Sequence, residues 1–313
     1  MDCEPEPPPS NPAKRKALGE FIPALVVPPR EAPHHFTVIF LHGRGYNAKD
    51  SYGPLLSTPV TGDVTFQQSL AHARFVFPTA PLMRASKYRR SVIHQWYDGT
   101  GDWEPEARGD MRPSVEHIHG LIRDEMALVG GDAKRIVLAG FSQGCAMALT
   151  CMLLWEGEPL GAVVGMCGFV PVYSSLMDVL NEDVTEESGD DGGIVFEVDG
   201  DDAADDTDRS GTPLQRAVRE LRKEVELPEL PSPSNCSFLE TPVFLGHGTK
   251  DTNVDQRHAR EAAALLTKMG LGVEFETYRG LEHWYSPEML GHIQAFLATR
   301  MKSSQTDADT CKT

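Results

Sequence analysis

Several features that mark membrane, secreted and metal-binding proteins are absent from this sequence of 313 residues. No apolar run reaches the ~20 residues of a transmembrane helix. The acidic, proline-rich N-terminal stretch has neither the basic nor the apolar region of a secretory signal peptide. No internal repeat is visible, and no Cys-x-x-Cys pair or His/Cys spacing indicates a metal site. These absences predict a cytoplasmic protein without a membrane span or a bound metal.

The cysteines and the basic residues support the same expectation. Cys145, Cys151 and Cys167 lie in apolar stretches, which is typical of reduced cysteines in the core of an intracellular protein. Cys3 is interpreted as a free thiol rather than a lipid attachment site. The basic run at residues 14–16 is too short to predict nucleic-acid binding, and the net charge of −17 opposes it.

The negative charge is concentrated in one stretch of the chain. Residues 181–209 contain thirteen acidic residues and one basic residue, out of totals of 46 and 29. Such a segment, with few large apolar residues, cannot bury enough surface to offset the entropy lost on ordering. We therefore predict a long acidic insertion at about 179–235, disordered to about 212, with a short helix at about 213–225 and a proline-rich return. A tolerated surface loop, a lid and a partner-binding element all remain open as its role.

A serine at a tight turn between a strand and a helix is the most informative feature. Ile136 to Ala139 is a short apolar run typical of a buried strand, Gly140-Phe141-Ser142-Gln143-Gly144 follows it, and residues 145–155 are apolar with helical character. This is the context of the G-x-S-x-G nucleophile elbow. The glycines are needed because side chains at 140 and 144 would crowd a strained turn. The pattern predicts Ser142 as a nucleophile.

A serine hydroxyl needs a general base, and the base needs a group that holds its tautomer. In the elbow-bearing fold these partners follow the serine in the order acid, then histidine. Asp251 lies in the turn after a predicted strand at 242–246, and His283 lies in the loop after a predicted strand at 273–278. Asp255 is the alternative acid. We expect Ser142, Asp251 and His283 to form a catalytic triad.

Together with other segments, these motifs resemble the acyl-protein thioesterase and carboxylesterase group of α/β-hydrolases, called the phospholipase/carboxylesterase family. The matching segments follow family order over roughly residues 35–175 and 240–300: Val38–Gly45, Pro78–Pro81, Gln95–Asp98, the elbow, His247–Asp251 and His283. The resemblance implies Ser142 as nucleophile, Asp251 as acid and His283 as base. It also implies an oxyanion hole formed by the backbone N–H groups of Arg44 and Gln143. Chemistry of this kind needs no cofactor and no metal.

Several other residues of these segments bear on the shape of the site and on the substrate. Trp96 and Tyr97 match a family segment near the active-site rim, and either substrate contact or a structural role fits them. His42 is expected to shape the oxyanion-hole loop, and His247 is interpreted as a structural histidine. In family members that deacylate proteins, the position of Arg44 usually holds a small apolar residue, and an acidic residue stands where this chain has Tyr46. These departures bear on the substrate rather than on the reaction.

The predicted fold class is α/β, an α/β-hydrolase fold with a mostly parallel central sheet and helices on both faces. The hydrolase domain is expected at 34–300, interrupted by the acidic insertion. A proline-rich mobile segment at 1–33 is expected before it, in which 21–27 is a candidate edge strand, and a frayed tail at 301–313 after it.

Three functions are consistent with the sequence. The first is a serine carboxylesterase for small or medium acyl esters, and the second is a thioesterase acting on S-acylated proteins. The third is a catalytically idle hydrolase fold that binds partners through the acidic insertion. The expected substrate is a small-molecule ester or an acylated protein, and a homodimer and a partner for the insertion are left open.

Overall fold

The structure is a computed structural model that describes residues 18–99, 109–186 and 211–310. Most of the acidic stretch that is predicted to be disordered, residues 187–210, therefore lies outside the described residues, as does the predicted mobile segment up to residue 17. Among the described helices, none is long and apolar enough to cross a membrane.

A central sheet and the helices that cover it form the described part of the chain. The strands are β1 Ile22–Val27, β2 Phe36–Leu41, β3 Pro59–Thr61, β4 Val64–Thr65, β5 Ala73–Thr79, β6 Leu82–Ala85, β7 Ser91–His94, β8 Ile136–Phe141, β9 Ala162–Met166, β10 Val243–Gly248 and β11 Val273–Tyr278. The helices are α1 Ala48–Ser57, α2 Phe66–Ser69, α3 Arg112–Leu128, α4 Gln143–Leu153, α5 Tyr173–Glu186, α6 Pro213–Glu224, α7 Gln256–Lys268 and α8 Pro287–Thr310.

The central sheet has the strand order β1-β5-β2-β8-β9-β10-β11. All neighbours are parallel except β1, which pairs antiparallel with β5 at one edge. The inner strands β2, β8, β9 and β10 are buried along their whole length, which explains why they are almost continuous apolar runs in the sequence. The short pairs β3–β4 and β6–β7 are separate hairpins.

Helices cover both faces of the sheet, as the sequence predicts. Alternate residues of a strand point to opposite faces; accordingly, Ile39 and Leu41 of β2 belong to one buried cluster, and Val38 and Phe40 belong to the other. The first cluster includes buried residues of α3, α4, α5, α6 and α7, whereas the second includes those of α1, α2 and α8. The two layers leave the loops at the carboxyl ends of the strands as the place for a site.

Three boundaries differ from the sequence prediction. Because β1 is a strand of the central sheet, the domain begins near residue 22, not at 34. Helix α5 continues to Glu186, past the predicted start of the insertion at 179, since Leu176 and Leu180 are buried against the core. Helix α8, predicted to end at residue 300, continues to Thr310.

Helix α6 forms where the sequence predicts a short helix after the acidic stretch. Thr212 and Gln215 make a reciprocal capping box at its start, and Pro213 occupies the first turn, where its missing N–H costs nothing. One face of the helix, which includes Val218 and Leu221, is buried in the core. This end of the predicted insertion is therefore an integral part of the domain.

Candidate active site

The backbone of the elbow is strained at the serine. Ser142 has φ 56° and ψ −121° where β8 ends and α4 begins, a conformation that side-chain-bearing residues rarely adopt. A Cβ added at Gly140 would lie 2.1 Å from the carbonyl oxygen of Gly144, and one at Gly144 would lie 2.1 Å from that of Leu41. The turn can therefore be this tight only with glycine at both positions.

The structure brings the three predicted triad residues into one hydrogen-bonded row. The Ser142 hydroxyl lies 2.9 Å from Nε2 of His283, and Nδ1 of His283 lies 2.6 Å from Oδ2 of Asp251. A carboxylate only accepts hydrogen bonds, so Nδ1 carries the proton and Nε2 is left as the acceptor for the serine. Asp255, the alternative acid, instead accepts from the backbone N–H of Arg257 and caps α7.

The carboxylate of Asp251 is buried and surrounded by donors. Oδ1 accepts from the backbone N–H groups of Asn253 and Val254, each at 2.9 Å. Oδ2 lies 2.6 Å from the ring of His283 and 3.2 Å from Nε2 of His247. Burial by itself would raise the pKa of Asp251, but the hydrogen bonds from His247, His283 and the backbone outweigh it and hold the pKa well below its usual range. The group is therefore a carboxylate at every pH where the protein would work.

His247, interpreted from the sequence as a structural histidine, lies directly beside the predicted acid. The sequence indicates only a structural histidine at a strand end, yet the structure places its fully buried ring against Asp251. The one signal that could have found it is the spacing, since a histidine that ends a strand four residues before an acid can reach back to that acid across the turn.

Gln143 connects the elbow to a segment nearly fifty residues earlier. Its side-chain oxygen accepts from the N–H of Trp96 at 3.1 Å, and its side-chain nitrogen donates to the carbonyl of Tyr97 at 2.8 Å. Its backbone N–H begins α4, where no intrahelical acceptor exists and the helix dipole concentrates partial positive charge. An anion next to Ser142 would meet this end of the helix.

Of the two roles that the sequence leaves open for Trp96 and Tyr97, substrate rim or structural, their burial favours the structural one. Their exposed fractions are 1% and 0%. Besides its bond to Gln143, Trp96 donates from Nε1 to the carbonyl of His42 at 2.8 Å. The two residues therefore hold the elbow and the loop after β2 together from within the protein.

The loop after β2 runs beside the serine. A Cβ on Gly43 would lie 3.3 Å from Cβ of Ser142, so the backbone at Gly43 borders the serine directly. Nε2 of His42 accepts from the N–H of Ala80 at 3.0 Å, which leaves Nδ1 to donate to the carbonyl of Gly43 at 2.8 Å. Burial lowers the pKa of His42 to about 4, so the ring stays neutral and shapes the loop, as expected from the sequence.

A small aromatic pocket is lined by residues that neighbour the triad in sequence, Phe141 before Ser142 and Trp284 after His283. Its lining includes Gly43, Tyr46, Phe141, Trp284 and Tyr285, and its volume is about 10 Å³, close to that of one water-sized sphere. The rings of Trp284 and Tyr285 are stacked with centroids 4.8 Å apart, and Tyr46, which is 40% exposed, borders the opening. The pocket suits a small apolar group.

Cys167 is the other reactive side chain near this row. Potential ligand atoms of Cys167, Asp251 and His283 lie within 4.8 Å of one another. Burial raises the pKa of Cys167 to about 12, and its thiol donates to the carbonyl of Trp284 at 3.2 Å. Because metal binding needs a thiolate and free partners, a protonated thiol beside two residues already bonded to each other is a poor metal site.

Comparison with known proteins decides the family. A family model described as phospholipase/carboxylesterase matches residues 23–186 and 224–301. The chain belongs to this family. Membership confirms the predicted resemblance, the α/β-hydrolase fold and the enzyme class, a serine hydrolase of the esterase and thioesterase type. The match is interrupted between residues 186 and 224, inside the span predicted as an insertion.

Relatives span nearly the whole chain. An acyl-protein thioesterase 1 of Debaryomyces hansenii is 26% identical over 91% of this chain and 100% of its own length. Carboxylesterase SOBER1 of Arabidopsis thaliana is 24% identical over 86% of this chain and 92% of its own. The crystal structure of SOBER1 is similar with a TM-score of 0.58 at 21% identity, covering 85% of this chain and 99% of that one. This structural likeness bears on the fold alone.

Proposed function

We propose that this member of the family is a serine carboxylesterase that transfers an acyl group to water through Ser142, His283 and Asp251. The observation that carries the proposal is the continuous row from the serine hydroxyl to Nε2 of His283 at 2.9 Å and from Nδ1 to Asp251 at 2.6 Å. A catalytically idle fold would have no need to keep a serine in a strained backbone with its hydroxyl on an oriented imidazole.

The proposed reaction has two halves. Oγ of Ser142 attacks the ester carbonyl carbon while Nε2 of His283 takes the hydroxyl proton, and the ionised Asp251 stabilises the imidazolium. The tetrahedral intermediate collapses, the C–O bond to the alcohol breaks, and His283 returns the proton to the leaving oxygen. Water then attacks the acyl-enzyme, with its proton passing to Nε2 and on to Oγ as the carboxylic acid leaves. No cofactor takes part.

The backbone N–H groups of Gln143 and Arg44 are the proposed oxyanion hole. The N–H of Gln143 is supported by its place at the start of α4, and that of Arg44 by the passage of its loop beside Ser142. Each such donor contributes about 3 kcal/mol to the stability of the transition state. The bonds of Trp96 to both segments keep the two donors in register.

The aromatic pocket supports a small acyl group as the substrate's acid part. With a volume of about 10 Å³ it has no room for a long chain unless Tyr46 or Trp284 moves. A short-chain carboxylic ester is therefore the first candidate. A protein thioester is the second candidate, because the Debaryomyces hansenii relative that spans nearly the whole chain is named acyl-protein thioesterase 1.

Labelling with a fluorophosphonate probe tests the reaction. Such probes react with an activated serine, so the wild-type protein should be labelled and Ser142→Ala should not. Hydrolysis of 4-nitrophenyl acetate should be lost in the same variant. A folded wild-type protein that neither takes the label nor hydrolyses the ester would reject the proposal and leave the partner-binding interpretation.

A chain-length series then distinguishes the two candidate substrates. Ester and thioester substrates with acyl chains of two to sixteen carbons should show kcat/KM highest for short chains if the pocket holds the acyl group. Tyr46→Ala, which widens the opening, should move the optimum to longer chains. A wild-type preference for long-chain thioesters would favour the second candidate.

A further inference from the structure

His247 presents one of its ring nitrogens, Nε2, to the row of proposed catalytic residues. Nε2 lies 3.2 Å from Oδ2 of Asp251 and 3.0 Å from the carbonyl oxygen of Val254. Both neighbours are acceptors, so Nε2 carries a proton and donates to them. Nδ1 is buried without a hydrogen-bond partner among the described residues. The ring therefore donates through Nε2, because a proton on Nδ1 would be buried without an acceptor among these residues.

The carboxylate of Asp251 has a different set of restraints on each oxygen. Oδ1 is held by the backbone N–H groups of Asn253 and Val254, which belong to its own turn. Oδ2 is the atom that meets His283, and the second donor to it is the ring of His247. Within the described part of the chain, His247 is thus the side chain that ties this oxygen to the central sheet, since it lies in β10.

The same ring also ties down the turn that carries the acid. The carbonyl of Val254 accepts from His247, while the N–H of Val254 donates to Asp251. His247, Asp251 and Val254 therefore form a closed set of hydrogen bonds at the end of β10.

We infer that His247 is a positioning residue: it holds Oδ2 of Asp251 in line with Nδ1 of His283. The inference rests on the proposed function, in which the correct tautomer and orientation of His283 are what Asp251 supplies. His247 itself touches neither the serine nor the substrate. The competing interpretation is that its ring only fills space at the end of β10.

Two substitutions separate these interpretations. His247→Leu replaces the ring with an apolar side chain of similar size and so removes the donor. His247→Gln keeps an N–H donor near the position of Nε2. His119→Leu and His119→Gln are the matched controls, because the ring of His119 is also largely buried and its Nε2 bonds to a backbone carbonyl, that of Cys151, at 2.8 Å.

With 4-nitrophenyl acetate as substrate, His247→Leu should lower kcat by roughly tenfold to a hundredfold. This is the usual cost of removing a residue that orients a side chain of a functional site. KM should stay within about twofold, because the lost contact acts on proton transfer and not on substrate binding. His247→Gln should recover most of kcat, and both His119 variants should keep it. The rate of fluorophosphonate labelling should follow the same order.

A spectroscopic measurement reports the same contact without turnover. The proton between His283 and Asp251 should give a low-field ¹H NMR resonance in the wild-type protein. This resonance should shift or broaden in His247→Leu and should return in His247→Gln.

The outcomes distinguish failure of this inference from failure of the proposed function. A labelled wild type with an equally labelled, fully active His247→Leu would overturn the positioning role alone. Equal losses in His247→Leu and His247→Gln that follow a lowered melting temperature would also overturn it in favour of packing. If the wild type is inactive, the proposed function fails, and an unchanged low-field resonance in His247→Leu would then overturn the positioning role as well.

Discussion

The elbow after β8 and the acid turn after β10 (residues 249–255) lie at the same edge of the sheet, but their key residues are held differently: Ser142 by the backbone around it, and Asp251 by hydrogen bonds to its side chain. Backbone atoms hold the elbow: Gly144 lies against the carbonyl of Leu41, and the N–H of Ser142 donates to the carbonyl of Met166 at 2.8 Å. The acid turn also has backbone hydrogen bonds, such as that from the N–H of Lys250 to the carbonyl of Leu281 at 2.9 Å, but the carboxylate of Asp251 is itself held by hydrogen bonds to its side chain.

This difference separates folding from chemistry. A contact between backbone atoms has no spare room, so a change in the elbow should be felt first as lost stability. A carboxylate held by hydrogen bonds can lose its orientation while the surrounding backbone stays in place, so a change in the acid turn should be felt first as lost activity. The following predictions test this contrast.

The largest expected effect is on catalysis from the acid turn. Asp251→Asn presents an amide N–H to His283 and favours the wrong tautomer, so kcat for 4-nitrophenyl acetate should fall about 10⁴-fold, as is usual for loss of a triad acid. The fold should persist, as measured by circular dichroism. Asp255→Asn is the control, because asparagine caps a helix as well as aspartate and kcat should not change. A larger loss of activity in Asp255→Asn than in Asp251→Asn would show that Asp255, and not Asp251, is the acid of the triad.

The next effect is on stability from the elbow. In Gly144→Ala the new methyl group would lie 2.1 Å from the carbonyl oxygen of Leu41, and backbone must shift to admit it. The free energy of unfolding should fall by about 3 kcal/mol or more, as measured by urea denaturation. If Gly144→Ala keeps wild-type stability and loses only activity, the contrast between the two turns is wrong.

A smaller effect concerns pH and the acid turn. Because the folded-state pKa of Asp251 is depressed, its ionised form contributes stability above the ordinary aspartate pKa of about 4, and this contribution is lost as the pH falls through the folded pKa. The difference in unfolding free energy between wild type and Asp251→Asn should therefore shrink by about 1 to 2 kcal/mol between pH 6 and pH 3. Urea denaturation at both values measures it, and a constant difference would contradict the depressed pKa.

The smallest expected effect is on the free energy of unfolding, from a glycine that is not closely packed as the elbow glycines are. Gly120 lies within α3 with no atom near an added Cβ, so it is not held by close contact. Gly120→Ala should raise the free energy of unfolding by about 0.5 to 1 kcal/mol, because alanine favours the helix. A destabilised Gly120→Ala would show that open space is a poor guide to which glycines this fold requires.

Most of the local structure around the site could be predicted from the sequence. Apolar or alternating runs predict the three strands that lead to the triad residues, at 136–141, 243–248 and 273–278. The spacing of the glycines around Ser142 predicts the elbow. The edge strand β1 could also be predicted, because its pattern is local. The extension of α5 to Glu186 could not be predicted. The acidic residues at its end indicate a loop, but the helix continues from preceding turns whose leucines are buried in the core.

The roles of Trp96, Tyr97 and His247 were not predictable in the same way. The sequence leaves a substrate rim and a structural role open for Trp96 and Tyr97, and what favours the second is their place in the core and the bonds of their backbone to Gln143, 47 and 46 residues away. His247 is only four residues from Asp251, yet its contact depends on how the turn after β10 folds back. In each case tertiary packing determines the hydrogen-bond partner, and a local sequence pattern does not show which partner that is.

The sequence by itself determined the strand–turn–helix of the elbow and the order of serine, acid and histidine, since these depend on sterics and polarity between near neighbours. Only the tertiary structure decided that Ser142 and His283, 141 residues apart, meet at 2.9 Å, and that His247 and His283 share one oxygen of Asp251. The physical reason is that parallel strands bring their carboxyl ends to one edge of the sheet. Which buried polar groups then pair depends on the packing that brings them within hydrogen-bond distance of one another.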